Sequence, residues 1–311
     1  MTGPDIADPA LENSPFDRRL RRLRRDRAAR SDAGANPLLQ RMAEDLIERL
    51  GLVTRRFERA LDLGTGPGLL AAALRERGME VASCDAGTLF SAGGERCDED
   101  RLPFPPGSFD LVVSAGTLDS VNDLPGALIQ VRRLLRPDGL FLGAFVGAGS
   151  LPILRGALAA ADEAEQRPAS PRLHPQIDLR AAGDLLARAG FALPVADDEP
   201  LTVRYSSLPQ LVADLRSLAW TNLLSTRSRD PFGRLGYAAA QAAFAAAAAP
   251  PLHLRRRCAG SPAEPQIKAS SRSISGRSAG GMSSPRISSG LAHLSAVASI
   301  GRASPPQVRQ R

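Results

Sequence analysis

Ala60-Leu61-Asp62-Leu63-Gly64-Thr65-Gly66-Pro67-Gly68 is a short apolar strand that runs straight into a glycine-rich turn. Beyond it, Leu69 to Arg77 has the spacing of a helix, closed by Gly78. Glycines at such a junction let the backbone bend sharply and approach a ligand that a Cβ would obstruct. The first turn of the helix then offers unpaired N–H groups. The spacing is GxGxG and not the dinucleotide-type GxGxxG, and Asp62 stands two positions before the first glycine. A carboxylate there suits an ammonium group better than a pyrophosphate.

On either side the pattern alternates. Met79 to Cys84 reads as a strand ending at Asp85, and Phe109 to Ser114 as a strand with a near-continuous apolar run, as expected of one buried on both faces. A helix over about Leu124 to Leu135 carries Leu124, Leu128, Val131 and Leu135 on one side. A Pro137-Asp138-Gly139 turn leads from it to the strand Leu140 to Phe145. Further helices are expected at Leu151 to Glu165, 179–189, around Leu208 to Leu218 and at Gly236 to Ala249, with extended segments at Phe191 to Val195 and Leu201 to Tyr205. Strand and helix in repetition predict an α/β fold, a doubly wound and mostly parallel sheet.

Asp85 follows Asp62 by 23 residues, where an acid can accept both hydroxyls of a ribose. Asp98, just before Leu102-Pro103-Phe104, is placed to accept an adenine amine. Each acid alone is an ordinary turn or cap residue. Three of them at successive strand ends around GxGxG match the amino acid, ribose and adenine of S-adenosylmethionine. Asp119, Asn122 and Asp123, after the fourth strand, are acceptor-side candidates, but for Asn122 or Asp123, just before the apolar helix, N-capping is the favoured reading over catalysis.

The segments Asp98 to Phe104 (DEDRLPF), Ser108 to Ser114 (SFDLVVS), Val121 to Leu128 (VNDLPGAL), Leu135 to Phe141 (LRPDGLF), SPR at 170–172, AGF at 189–191 and VRY at 203–205 resemble the class I S-adenosylmethionine-dependent methyltransferases. Within that family the chain, including its Phe16 to Ala29 opening, is similar to the branch of the methyltransferase-fold mitochondrial complex I assembly factor and its bacterial relatives. The malonyl-carrier methyltransferase of biotin synthesis resembles it more distantly. The resemblance implies Gly64, Gly66 and Gly68 at the methionine and adenosine turn with Asp62 beneath. It implies Asp85 on the ribose, Asp98 and the Glu99 backbone at the adenine, and Ser114 beside the sulfonium. This chain departs from the pattern at Leu118-Asp119-Ser120-Val121, where many relatives have Leu-His-Trp-Val. Only twelve residues lie between Asp85 and Asp98, little room for a second helix and a third strand.

Composition sets the domain organisation. The 311 residues carry a formal charge of +7, but residues 252–311 hold ten Lys or Arg and one acid, Glu264, so the basicity belongs to the tail and the body is nearly neutral. The body is therefore not expected to bind nucleic acid. The tail lacks aromatic residues and is rich in Ser, Pro and Gly, which predicts a disordered basic tail at 252–311. The expected domains are a leader with an Arg-rich helix at 1–35 and a methyltransferase domain at 36–251, with the last antiparallel strand of the family missing from the tail. Low stability follows from that missing strand. Phe16, Leu20 and Leu23 share one side of the Arg-rich helix and are expected to dock it on the domain while its arginines stay in solvent.

Three cysteines without a CxxC pair and no secretory signal predict reduced thiols in the cytoplasm, and no run is apolar enough for a membrane span. One body histidine, His174, leaves no conventional metal site; it reads as a surface-loop residue, and no metal is expected. Three functions compete. The first is a methyltransferase acting on a small-molecule or protein acceptor. The second, implied by the branch, is a complex I assembly factor that acts on a subunit arginine by hydroxylation or works by binding only. The third is a degraded, inactive paralogue.

Overall fold

The structure, a computed structural model, describes residues 14–31, 36–248 and 290–303. A seven-stranded sheet in the order β3-β2-β1-β4-β5-β7-β6 forms its centre. The strands are β1 (Arg59–Leu63), β2 (Glu80–Asp85), β3 (Glu95–Arg96), β4 (Phe109–Ala115), β5 (Leu135–Val146), β6 (Phe191–Tyr205) and β7 (Gly290–Ala303). β1 to β5 pair in parallel, and β7 runs antiparallel between β5 and β6. The helices are α1 (Arg18–Ala29), α2 (Pro37–Gly51), α3 (Leu69–Glu76), α4 (Leu124–Leu134), α5 (Pro152–Ala164), α6 (Leu179–Arg188), α7 (Leu208–Ser217) and α8 (Arg234–Ala248). The doubly wound α/β expectation holds.

The apolar runs become strands covered on both faces. Along β4, Leu111 and Val113 pack with Leu46, Leu70 and Leu74 of α2 and α3, while Val112 between them joins Leu128, Val131 and Leu186 of α4 and α6. The period of two sends alternate side chains to opposite layers. Each fully buried Leu or Val contributes about 1.5–3 kcal/mol. A third cluster, with Leu154, Leu211, Leu215 and Phe244, joins α5, α7 and α8 beside this core.

Three expectations are corrected. The last antiparallel strand is present: β7 pairs with β5 from Leu140↔Arg302 to Val146↔Ala296 and with β6 from Phe191↔Ala303 to Tyr205↔Gly290. The edges on which the expected low stability rested are thus paired. Averaging composition over sixty residues diluted Leu291 to Ile300, a stretch of small and aliphatic residues without a Pro. The rest of the expected tail lies outside the described residues. Next, α1 docks through only part of its apolar stripe: Phe16 and Leu20 pack with Leu223 and Leu224. Leu23 is 57% exposed, whereas Arg21, Arg25 and Ala28 are buried. Last, Cys84 and Cys97, expected as separate thiols, are paired as a disulfide with a Cα–Cα distance of 6.0 Å. Thirteen residues of separation give no local sign that the end of β2 adjoins residue 97. The short stretch between Asp85 and Asp98 does carry only the two-residue β3 and no helix, as its length implied.

Candidate functional site

The parallel strands β1, β2 and β4 end at Leu63, Asp85 and Ala115, so their carboxyl ends bring the turn after β1 together with the acids after β2. In such a sheet ligands bind beyond these ends, where the strand order reverses. The turn itself is Gly64 (φ 74), Gly66 (φ 52) and Gly68 (φ 80), all left-handed, with Gly68 leading into α3. Gly64 is required twice over: besides its dihedral, a Cβ there would lie 2.6 Å from Cγ2 of Thr117.

Asp62 organises this turn from below. Its Oδ2 accepts from the Thr65 hydroxyl (2.7 Å) and from the Ala71 backbone N–H (3.1 Å), tying strand, turn and helix into one unit. Burial pushes its carboxyl up to about 6, and the two hydrogen bonds only partly oppose this. Ser114, expected beside the sulfonium, is fully buried. Its hydroxyl donates to the Leu63 carbonyl (2.8 Å) and meets Thr117 Oγ1 (3.1 Å), so it joins the ends of β1 and β4 instead of facing the cavity.

The acids expected at ribose and adenine are all engaged by one helix. Arg18, Arg21, Arg22 and Arg25 recur at i, i+3, i+4 and i+7 on α1 and meet them in turn. Arg18 holds Asp100 bidentately (2.8 and 2.6 Å) and lies 3.2 Å from Asp98. Arg21 holds Glu99 (2.6 and 2.7 Å), and Arg22 holds Asp98 (2.7 Å). Arg25 grips Asp85 through Nε (2.6 Å) and Nη2, while its guanidinium lies 5.2 Å from the centre of the Phe90 ring. Burial alone would raise Asp85 and Asp98, yet the guanidiniums of Arg25 for the first, and of Arg22 and Arg18 for the second, hold both below the ordinary carboxylate range.

Asp85 has no acceptor capacity left. Oδ1 takes Arg25 Nε and the Gly87 N–H (2.7 Å), and Oδ2 takes Arg25 Nη2 and the Gly66 N–H (3.0 Å). These four donors match the roughly four lone-pair sites of a carboxylate.

A small cavity opens over the turn, lined among others by Asp62, Gly66, Arg25, Phe90, Leu218 and Trp220, with a volume of about 30 Å³. Trp220 and Phe90 were missed in the sequence reading, as were the arginines. Trp220 is the single tryptophan of the chain, which was a signal. The arginine spacing was hidden by Arg19, Arg24 and Arg27 on other sides of the same helix.

The acceptor-side candidates do not line this cavity. Asn122 clasps the backbone of Phe16, accepting from its N–H (2.8 Å) and donating to its carbonyl (3.0 Å). Asp123 caps α4, accepting from the Gly126 N–H (2.8 Å). Asp119 sits in a 3-10 turn, Leu118–Ser120, after β4; burial raises its carboxyl and His174 opposes the rise. His174 is half-buried, its ring packed edge-on at 5.6 Å against Phe16.

Comparison with known proteins places these observations. A family described as "Methyltransferase domain" matches residues 36–194, so α1 precedes the matched segment. The rat protein "Arginine-hydroxylase NDUFAF5, mitochondrial" is 33% identical over 219 residues, 67% of this chain; the match spans 64% of the rat protein's length, and the human relative gives the same figures. "Malonyl-[acyl-carrier protein] O-methyltransferase" of Laribacter hongkongensis is 31% identical over 241 residues, covering 70% of this chain and 79% of that protein. Among solved structures, the YcgJ protein of Bacillus subtilis aligns over 86% of this chain and all of its own, with 15% identity and a TM-score of 0.48.

Proposed function

We propose that this chain, which belongs to the class I S-adenosylmethionine-dependent methyltransferase family, binds S-adenosylmethionine over the turn at Gly64 to Gly68 and transfers its methyl group to an acceptor. The observation that carries the reading is the set of acids at successive strand ends around a left-handed glycine turn: Asp62 next to last in β1, Asp85 last in β2, Asp98 just beyond β3. The residues present fit the cofactor. Gly64 and Gly66 leave backbone where a Cβ would stand, Asp62 supplies a carboxylate for an ammonium group, and Phe90 an apolar face for a base.

The bound cofactor would supply a methyl group already activated on a sulfonium. What remains for the protein is alignment and exclusion of water. Thr117 and Ser114 join the ends of β1 and β4, which keeps the glycine turn and the Ala115-Gly116 segment in register. Trp220, Leu218 and Leu70 wall the cavity with apolar surface. We assign no general base.

Calorimetric titration tests this reading. S-adenosylhomocysteine should bind the wild type, and Asp62→Ala should abolish the heat; binding that survives unchanged in Asp62→Ala would overturn the assignment.

A second reading is favoured by the arginine-hydroxylase relatives at 33% identity: the acceptor is a protein side chain, and a respiratory complex I subunit is the partner. Incubation with cell extract and mass spectrometry of captured partners distinguishes the two chemistries, a gain of about 14 mass units for methyl against about 16 for hydroxyl.

A further inference from the structure

We infer that α1 is a latch on the cofactor site, and that its arginines and the adenosine of the cofactor compete for the same carboxylates. The inference rests on the cofactor reading above.

Stoichiometry is the first argument. Two ribose hydroxyls can donate to Asp85 only if other donors leave. Its Gly66 and Gly87 donors are backbone groups of the turn and of the chain just after β2, whereas both Arg25 donors belong to a separate element. Arg25 is also wedged in: a Cβ on Gly87 would lie 2.9 Å from the Cβ of Arg25. The second argument is volume. With α1 docked the cavity between Asp62 and Arg25 holds about 30 Å³, while ligand sites typically offer about 300 Å³ or more; the wider cleft of about 760 Å³ along Thr65, Gly68 and Phe90 is open to solvent and lacks both Asp62 and Arg25. Arg25 is part of the smaller cavity's wall.

The third argument is how α1 is attached. Main-chain bonds secure its leading end, Asp17 N–H to the Leu223 carbonyl (2.9 Å) and Ser225 N–H to the Pro15 carbonyl (2.9 Å), together with the Asn122 clasp on Phe16. Over the site, Arg21, Arg22 and Arg25 hold it through ion pairs, and Asp26 adds one bond from the Leu89 N–H (2.9 Å). Its outward residue Leu23 is largely exposed. Attachment by charge is exchangeable in a way that apolar burial is not, because the cost of desolvating the pairs offsets much of their attraction. The helix is thus built to swing about its leading end while the acids beneath change partners.

The same logic predicts an affinity penalty. If only the open form binds, the apparent dissociation constant is raised by the reciprocal of the open fraction. Titration of the full chain with S-adenosylhomocysteine should give at least about tenfold tighter binding for Arg25→Ala than for wild type. An Arg18→Ala/Arg22→Ala variant, which leaves Asp85 and Arg25 untouched, should shift the same way and covers the case in which Arg25→Ala does not fold. Ligand should also speed tryptic cleavage within α1 of the wild type. Equal or weaker binding in the variants, or ligand-induced protection of α1, overturns the latch while leaving the cofactor reading intact. No binding by wild type or variants overturns both.

Discussion

The indole Nε1 of Trp220 donates to the carbonyl oxygen of Gly116 across 2.8 Å, tying the end of β4 to the segment that follows α7. Gly116 has φ 70, and a Cβ there would lie 2.5 Å from the indole ring. Ring and backbone fit face to face because one residue has no side chain, and together they close one wall of the cavity. Trp220→Phe, which keeps an apolar ring and loses the hydrogen bond, should cost about 1 kcal/mol in urea unfolding. Trp220→Ala should cost roughly 2–3 kcal/mol, less than a fully buried ring because Trp220 is half-buried. Equal midpoints for wild type and Trp220→Ala would show that the indole closes nothing.

Gly64→Ala should destabilise by about 2 kcal/mol or more, through its left-handed dihedral and its contact with Thr117. Thr117→Ala removes the two side-chain atoms nearest to the new Cβ, so the double variant should be more stable than the sum of the single effects implies. Strict additivity in denaturant unfolding would remove steric conflict as the cause.

Acidity should act on Asp62 in two opposite directions. Its folded value of about 6 lies above the ordinary 3.8. The stability it contributes is therefore fully present below 3.8 and lost as pH rises through about 6. Melting temperatures of wild type relative to Asp62→Asn should rise as pH falls from about 7 toward 4, and a difference independent of pH would contradict the shift. Cofactor affinity should do the reverse, weakening as pH falls through about 6 and approaching tenfold per pH unit below it, since an ammonium group needs the ionised carboxylate.

Ala298 pairs with Ala144 on one side and Asp197 on the other, at the middle of β7. Proline there removes a ladder donor inside the sheet, so Ala298→Pro should cost about 3 kcal/mol or more and leave two strand edges open to association. Thermal melts combined with size-exclusion chromatography would show it. A cooperative, monodisperse variant with the wild-type melting temperature would mean that β7 adds nothing to the fold.

Much of this architecture was written locally. The near-continuous apolar run of Phe109 to Ser114, the helical spacing of Leu124 to Leu135 and the glycines at 64, 66 and 68 are short-range patterns, and each became the element it predicted. Asp62 bonds the turn at Thr65 and the helix at Ala71. Asp123 caps α4, one of the roles its position allowed, whereas Asn122 instead clasps the backbone of Phe16, 106 residues away, which no local pattern signals. β7 was overlooked because small aliphatic residues between Ser- and Gly-rich segments make a weak strand signal, and pairing on both sides compensates for it.

By itself the sequence determined the parallel core, the glycine turn and the acids at the strand ends, since strand and helix periods and glycine dihedrals are properties of neighbouring residues. The tertiary structure alone decided which partners those acids have. Arg25 and Asp85 are sixty residues apart, and among 39 arginines nothing local distinguishes the one that fills a carboxylate's last acceptor sites. An ion pair depends on proximity in space and on the exclusion of water. Both arise only when α1 closes over the ends of β1 and β2.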